Sequence, residues 1–447
     1  MKYYIYTLGC KVNNYESEYI KSLLDKEGFI FDEEKPDIII INTCTVTNTS
    51  DKKSKKMIKR YRRLFSNAII VAMGCYVQYV NGNVEDADII IGNKDKSKII
   101  NYIKEYIENK QKIVKIYDMN NVLFEDMEIE KYTSHTRAFV KIEDGCNNFC
   151  SYCIIPYVRG RVRSKDFDKI IEEVNYLVDN GHKEIVLTGI HTGQYNSNGK
   201  TLYDLLKELV KIKKLERIRI SSIEVVEIND NIIDLIKKES KLVSHLHIPL
   251  QSGSDKVLKL MNRRYDKKYF KEKIEKIRES RKDISITTDL IVGFNGESEK
   301  EFIESYEFCK EIGFSKIHVF PYSKRDGTNA CELNEEIDEK TKKIRVNKFL
   351  ELSNLLENNY KNKFIGKKLK VLIEEITEDN AYGYTSNYIR VKLPNNYIHN
   401  KIYSVVINLD NIAVDKKNKK CRIKMKGKSK WNKKQRCKQS FLMRGHY

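Results

Sequence analysis

Within the first 100 residues, three runs of three or more consecutive Ile or Val residues, in DIIIINTC (37–44), AIIVAMGC (68–75) and DIIIGN (88–93), set the tightest limit on the fold. A strand that is aliphatic at every position is buried on both faces. That arrangement belongs to parallel sheets covered by helices. A fourth apolar segment, YYIYTLG (Tyr3–Gly9), opens the chain. Helical or Lys-rich stretches at Asn14–Glu27, Ser50–Arg63 and Ser97–Asn109 separate these segments. Residues 1–120 therefore read as a parallel α/β domain. Its first three strands each run into a cysteine: Cys10, Cys44 and Cys75. Carboxyl ends of strands in an open α/β sheet share one edge, where ligands bind. Either three cysteines converge there on a metal cluster, or three buried cysteines happen to end strands.

The run GCNNFCSYC places Cys146, Cys150 and Cys153 at C-x3-C-x2-C spacing, just after the β-type segment AFVKIE. Three thiolates hold three irons of a four-iron, four-sulfur cube and leave the fourth iron open. Open metal positions are where chemistry happens. Zinc is the rival, but it favours four closed ligands, and no fourth Cys or His lies at the usual spacing. From Arg137 on, AFVKIE, KEIVLTG, RIRISS, HLHIPL, ISITTDLIVGF and KIHVFPY alternate with helical segments such as Phe167–Asp179, Leu202–Lys214 and Lys268–Ser280. This alternation predicts a partial (β/α) barrel over 137–360, with its active site at the strand carboxyl ends. Residues 121–136 lack hydrophobic pattern and read as a linker.

Three further β-type segments, KLKVLIEEITED, GYTSNYIRVKLP and KIYSVVINLD, predict a small β-barrel over 364–413. It suits nucleic-acid binding or a capping or dimerising role. From Lys416 the chain has fourteen Lys or Arg and no Asp or Glu, so 414–447 reads as a disordered basic tail. The tail is either an RNA-binding arm, with Trp431 and Phe441 to stack on bases, or a solvated extension. At 447 residues with 40% hydrophobic and 33% charged residues, two or three soluble domains are expected. No apolar stretch is long enough for a membrane span, and MKYYIYTLGC is not a signal peptide. Ten cysteines without an export signal suit a reducing, cytoplasmic setting and metal chemistry rather than disulfides.

The cysteine run resembles the signature of radical S-adenosylmethionine enzymes. GCNNFCSYCIIPYVRGRVRS, SSIEV (Ser221–Val225), HIPLQSGSDKVLKLMNRRY (His247–Tyr265), DLIVGF (Asp289–Phe294) and PYSKRDGTNA (Pro321–Ala330) are similar to the methylthiotransferase branch. TLGCKVNNYES (Thr7–Ser17) and LTGIHTGQY (Leu187–Tyr195) resemble its MtaB type, whereas isopentenyladenosine-directed relatives more often show GCQMN. Lys165 and Asn295 depart from the family pattern, which often has Arg and Pro there. The resemblance implies a radical-generating 4Fe-4S cluster on Cys146, Cys150 and Cys153, and an auxiliary 4Fe-4S cluster on Cys10, Cys44 and Cys75. Two molecules of S-adenosylmethionine would serve, one methylating the sulfur and one yielding the radical that takes hydrogen from carbon 2 of the substrate adenine. The implied substrate is N6-threonylcarbamoyladenosine of tRNA, on the 3′ side of the anticodon. Partners would be tRNA, a flavodoxin- or ferredoxin-type electron donor and a sulfur source, and the small barrel would be a TRAM domain.

The resemblance also points S-adenosylmethionine at Gly189, Ser222, Glu224, Gln251, Ser252, Ile291 and Gly293, each of which has a capping or packing role as its alternative. Arg159, Arg161 and Arg163 either meet phosphates or pair with carboxylates. His191 lies in the loop over the site, His182 reads as a turn residue, Cys309 as core and Cys331 as a loop residue. Cys421, Cys437 and His446 are weak metal candidates. Rival functions are the same chemistry on isopentenyladenosine or on a ribosomal-protein aspartate, and an iron–sulfur RNA-binding module without catalysis.

Overall fold

The computed structural model describes residues 1–129 and 136–413. The basic tail, with Trp431, Phe441, Cys421, Cys437 and His446, lies outside the described residues. The first domain is a six-stranded, all-parallel sheet in the order Ile30–Phe31, Lys2–Thr7, Ile38–Thr43, Ile69–Gly74, Ile89–Ile91, Ile113–Lys115. The three central aliphatic runs are buried along their whole length, as strands covered on both faces must be. The chain steps outward from Lys2–Thr7 to Ile30–Phe31, then crosses back to Ile38–Thr43. The strand order therefore reverses between Lys2–Thr7 and Ile38–Thr43, which makes their carboxyl ends the ligand crevice. The two edge strands were not expected, because two and three residues carry too little pattern. The first helix runs Lys11–Lys26, three residues earlier than Asn14, with Cys10 as its N-cap.

All six expected strands of the second domain form: Ala138–Lys141, Glu184–Thr188, Arg217–Ile220, His245–His247, Ser285–Val292 and Lys316–Pro321. They pair in parallel in that order as two triplets. Backbone bonds from Ile218 N to Lys241 O and from Ile223 N to His247 O join the triplets into one open half-barrel. Apolar residues alternate outward: Ile218, Ile220, Leu246, Ile286, Leu290 and Ile317 belong to the main core under the helices. The intervening residues are polar and meet one another inside. Arg219 Nε bonds Glu184 at 2.7 Å, His247 Nδ1 is 3.0 Å from Thr287 Oγ1, and His247 Nε2 is 3.2 Å from Asp289. The helix Lys11–Lys26 packs against Ala138–Lys141 at the open side.

The predicted linker is partly core. Met127 and Ile129 are buried, and the Met127 carbonyl accepts a bond from the Tyr15 hydroxyl. Two apolar residues spaced by two are an extended segment's contribution, too sparse to read as a pattern.

The last domain is a four-stranded antiparallel sheet in the order Arg390–Pro394, Asn380–Thr385, Lys368–Ile376, Ile402–Val406. A bridge between Val391 and Ile412 closes it into a small barrel. GYTSNYIRVKLP, expected as one strand, forms parts of two, folded at a turn where Tyr388 takes φ 67°. This barrel caps the amino ends of the half-barrel strands. Arg217 donates to the Lys370 and Tyr384 carbonyls at 2.7 and 3.0 Å, and Ser244 N to Ser386 Oγ at 2.9 Å. Beneath it, burial alone would raise the Glu184 pKa, but Arg219, Arg137 and Arg217 outweigh burial and hold it at about 2 against an ordinary 4.5. A depressed carboxylate stabilises the fold above its unfolded pKa and loses that contribution as pH falls through the folded value. The shift is worth about 3 kcal/mol. The stability difference between the wild type and Glu184→Gln should thus be full at pH 7 and close between pH 4.5 and about 2. Paired thermal unfolding curves at each pH measure it; a gap independent of pH in that window would remove Glu184 as the linked group.

Candidate functional site

The structure puts Cys10, Cys44 and Cys75 on the crevice edge of the first sheet. Cys10 caps the helix after Lys2–Thr7, Cys44 follows Ile38–Thr43, and Cys75 starts the short helix Cys75–Tyr79. Gly9 makes the approach possible. At its φ of 104° a Cβ would lie 2.9 Å from Cys44 Cβ and 3.1 Å from its sulfur, so only glycine fits. Burial raises the Cys44 thiol to about 12, with Cys75 and Cys10 pushing the same way. Burial likewise raises Cys10, with Arg159 opposing and Cys75 reinforcing. These thiols lie within electrostatic reach of one another.

Cys146, Cys150 and Cys153 sit in the loop after Ala138–Lys141 and Glu143–Asp144, at the carboxyl end of the half-barrel. Burial raises Cys153 and Cys150. Basic groups lean on two of the sulfurs. His191 Nδ1 is 3.4 Å from Cys146 Sγ, and Arg263 Nη1 donates to Cys150 Sγ at 3.2 Å. His191 Nε2 lies 2.5 Å from Glu227, and Arg263 also pairs with Glu224. Burial disfavours the charged imidazole, yet Cys146 and Glu227 prevail and raise His191 to about 10.

Neither thiol set suits a single zinc ion. Tetrahedral ligation at a Zn–S distance of about 2.3 Å needs sulfurs roughly 3.8 Å apart. Among the described residues, only His247, Asp289 and His318 bring three Cys, His, Asp or Glu ligand atoms within 4.8 Å of one another. Neither thiol set meets that limit. Thiol protons must leave on metal binding, and at Cys10, Cys44, Cys150 and Cys153 the raised pKa values make that step the metal's work.

One short helix connects the two sets. Ile155–Arg159 begins two residues after Cys153, and its last residue donates from Nε to Cys75 Sγ at 3.1 Å. Cys75 packs with Ile154 and Val158 of this segment. Five helical residues span about 8 Å, so the two thiol sets are neighbours. Arg159 is fully buried and also bonds Glu16 at 3.1 Å, Asp144 at 3.0 Å and Asn13 at 2.8 Å. It pairs with carboxylates and meets no solvent phosphate. Lys96 and Lys141 complete the network, 2.5 and 3.2 Å from Glu16, with Lys141 2.7 Å from Asp144.

The other expected contacts divide. Gly189 lies against Glu143: a Cβ there would be 2.7 Å from Oε2. Glu143 accepts the His191 N–H at 2.6 Å, its Oε1 is buried without a partner, and burial raises its pKa to about 8. An orphaned carboxylate oxygen beside the first strand ends fits a cationic group such as the ammonium of S-adenosylmethionine. The Ser222 carbonyl accepts from Thr192, and Glu224 is engaged with Arg263. Ser252 Oγ accepts from Ser254 N, and Gln251 takes φ 67° at its strand end. The Ile291 N–H is bonded to Gln251 O at 2.9 Å and the Gly293 N–H to Glu297 at 3.1 Å, so neither N–H is free for adenine. Arg161 covers the Phe149 ring at 4.3 Å, and Arg163 bonds the Arg159 carbonyl at 2.6 Å. His182 bonds the Thr136 carbonyl, Cys309 is fully buried, and Cys331 Sγ lies 3.8 Å from Asp326.

Sequence reasoning missed Arg263 on Cys150 and the polar interior of the half-barrel. The second had a signal: in RIRI, HLH and KIHV charged or imidazole residues alternate with aliphatic ones, the period of a strand with one polar face.

Residues 140–309 match the family model for the Radical SAM superfamily, and residues 2–92 match one described as Uncharacterized protein family UPF0004. The chain is similar in fold to the radical S-adenosylmethionine methyltransferase TsrM from Kitasatospora setae, solved with cobalamin and a 4Fe-4S cluster bound. Their TM-score is 0.52 at 13% identity, over 72% of this chain and 74% of that one. It is 43% identical to the threonylcarbamoyladenosine tRNA methylthiotransferase MtaB of Bacillus subtilis (strain 168), over 86% of this chain and 89% of the relative. The protein of that name from Aquifex aeolicus is 39% identical, over 88% and 96%. The chain belongs to the radical S-adenosylmethionine methylthiotransferase family, in its MtaB group. The family implies a 4Fe-4S cluster and S-adenosylmethionine. Among the described residues no helix is long and apolar enough to cross a membrane.

Proposed function

We propose that this protein transfers a methylthio group to carbon 2 of N6-threonylcarbamoyladenosine in tRNA, on the 3′ side of the anticodon. Cys146, Cys150 and Cys153 would hold the cluster that binds S-adenosylmethionine, and Cys10, Cys44 and Cys75 a second 4Fe-4S cluster that carries the sulfur. When bound, these groups supply a hydrogen-abstracting radical, the methyl group and the sulfur; an aromatic C–H bond offers no acid–base handle to side chains. The observation that carries the reading is the helix Ile155–Arg159, which begins two residues after Cys153 and ends on the arginine that donates to Cys75 Sγ, so that one short element ties the two thiol sets together. The chain's own work is positioning: Gly9 lets the first strand end close on Cys44, Arg159 fixes Cys75, and Arg263 and His191 orient Cys150 and Cys146. Gly189, Ser222, Glu224, Gln251 and Ser252 frame the space for S-adenosylmethionine at the strand ends. Ile291 and Gly293 would serve it through atoms other than their N–H groups.

The assignment divides the chain at 1–120, 137–360 and 364–413, the last a TRAM-like barrel that joins in RNA binding while capping the half-barrel. A flavodoxin- or ferredoxin-type donor, a sulfur source and a cytoplasmic setting complete the proposal. Nucleoside mass spectrometry of tRNA from a strain lacking the gene tests it. The methylthio derivative of N6-threonylcarbamoyladenosine should vanish, its unmodified precursor should accumulate, and complementation should restore the product. An unchanged nucleoside profile would end the tRNA reading, and loss of methylthio-isopentenyladenosine instead would transfer the activity to that substrate.

A further inference from the structure

The interior of the half-barrel holds buried side-chain nitrogens without partners. Arg219 is 2% exposed; its Nε is bonded to Glu184, while both terminal nitrogens are buried and have no hydrogen-bond partner. Its guanidinium lies 4.5 Å over the Tyr388 ring, which the capping barrel inserts from below. His245 stacks on the same ring at 4.7 Å, and its Nδ1 is also buried without a partner. From the open side, the first residue of the helix Lys11–Lys26 contributes the ammonium of Lys11. Burial lowers its pKa; Tyr388 and Asp289 act on its charge to raise the pKa, and Arg137 and Arg219 to lower it, while the helix packs on Ala138–Lys141, the strand that begins beside Arg137. Among the described residues Lys11 makes no hydrogen bond or ion pair. The carboxylates nearby are committed elsewhere: Glu184 to Arg217 and Arg219, Glu374 to Arg137 at 3.1 Å, Asp289 to His247 at 3.2 Å.

We propose that Lys11 and the terminal N–H groups of Arg219 form an anion site inside the half-barrel that receives the carboxylate of the substrate's N6 amino-acyl arm. This rests on the threonylcarbamoyladenosine reading and names the part of the enzyme that selects that nucleoside. Tyr388 covers Arg219 and His245 at the amino end of the strands, while His247, Asp289 and His318 further along them stay partly exposed. An adenine presented to the thiol face would therefore direct a polar arm inward, where buried N–H groups lack acceptors. A planar guanidinium fork suits a carboxylate, and a lysine adds a point charge. An aliphatic N6 arm would leave those donors unpaired, and a site built of buried polar groups rejects a ligand that cannot satisfy them. Lys11 immediately follows Cys10, so recognition of the arm and presentation of the sulfur would share one turn of helix. The same cations oppose a dication at His247, Asp289 and His318, despite the close ligand atoms there.

The test uses the reconstituted full-length enzyme and two anticodon stem-loops, one carrying N6-threonylcarbamoyladenosine and one carrying its methyl ester. Steady-state methylthiolation and fluorescence anisotropy are measured on both. Wild type should prefer the acid over the ester by about 10- to 100-fold in KM and in Kd, the range of a charge-assisted bond. Lys11→Met should cut the preference about 10-fold by weakening only the acid, the Arg219 fork remaining, and Lys11→Arg should restore most of it. Retention of the wild-type preference by Lys11→Met would overturn the site. A raised KM for S-adenosylmethionine with that preference intact would overturn it too, by assigning the anion to the methionine carboxylate. A wild type that modifies both stem-loops equally would leave the substrate reading standing and refute the anion site. A wild type that modifies neither would bring down the substrate reading and the site together.

Discussion

Cys150→Ala should lose about half of the iron of the reconstituted protein, roughly four atoms of eight. Formation of 5′-deoxyadenosine from S-adenosylmethionine should fall to background, and with it all methylthiolation. Cys150 is the sulfur that Arg263 holds at 3.2 Å, and its neighbours Cys146 and Cys153 cannot keep a cube on two ligands. Cys75→Ala should also lose about half of the iron, but with a different functional result. It should still release 5′-deoxyadenosine while making no methylthio product, since the radical-forming set is intact and the sulfur-carrying set is not. Iron content, 5′-deoxyadenosine and nucleoside product measured together on both variants separate the two centres. A Cys75→Ala protein that keeps its full iron would show that Cys10, Cys44 and Cys75 are structural thiols.

The thiol sets were legible because each lies where the strand pattern ends. Cys44 and Cys75 close runs so aliphatic that no other fold class suits them, and C-x3-C-x2-C is itself a ligand spacing. The half-barrel strands were legible for the same reason: Ser285–Val292 and Lys316–Pro321 are long and strongly β-forming. Short edge strands, and the turn at Tyr388 in Ser-Asn-Tyr without Gly or Pro, carried no such signal. Least legible was what joins the domains. Glu16, Lys96, Lys141, Asp144 and Arg159 come from different parts of the chain, and each alone reads as a surface charge. Pairing across 143 residues, as between Arg159 and Glu16, is fixed by packing and leaves no local trace. The same holds for His191 and Arg263, whose partners are sulfurs 45 and 113 residues away.

That interdomain network carries the largest expected effect on stability. Arg159 is fully buried, so its charge exists only by virtue of Glu16 and Asp144, which hold it against the desolvation cost. Arg159→Met keeps much of the volume and removes the charge. It leaves Glu16 with Lys96 and Lys141, and Asp144 with Lys141 and Arg163, but strips both carboxylates of their shared donor. Removing one partner from a buried ionic cluster costs about 3–5 kcal/mol, and the loss should appear as a lower thermal midpoint. It should appear chemically as well, because Arg159 Nε is the donor to Cys75 Sγ and Nη2 holds Asn13 at 2.8 Å, beside Cys10. A merely structural arginine would lower the midpoint and leave the spectrum of the folded protein alone. The expected result here is a shifted electron paramagnetic resonance signal for the Cys10–Cys44–Cys75 centre, with that of the Cys146–Cys150–Cys153 centre unmoved. Arg159→Lys should recover part of the stability, since it restores a charge, but not the signal, since an ammonium cannot reach the sulfur and two carboxylates in the fixed geometry of the fork. If Arg159→Lys matched wild type in both readouts, charge alone would account for the residue and its bond to Cys75 would be incidental.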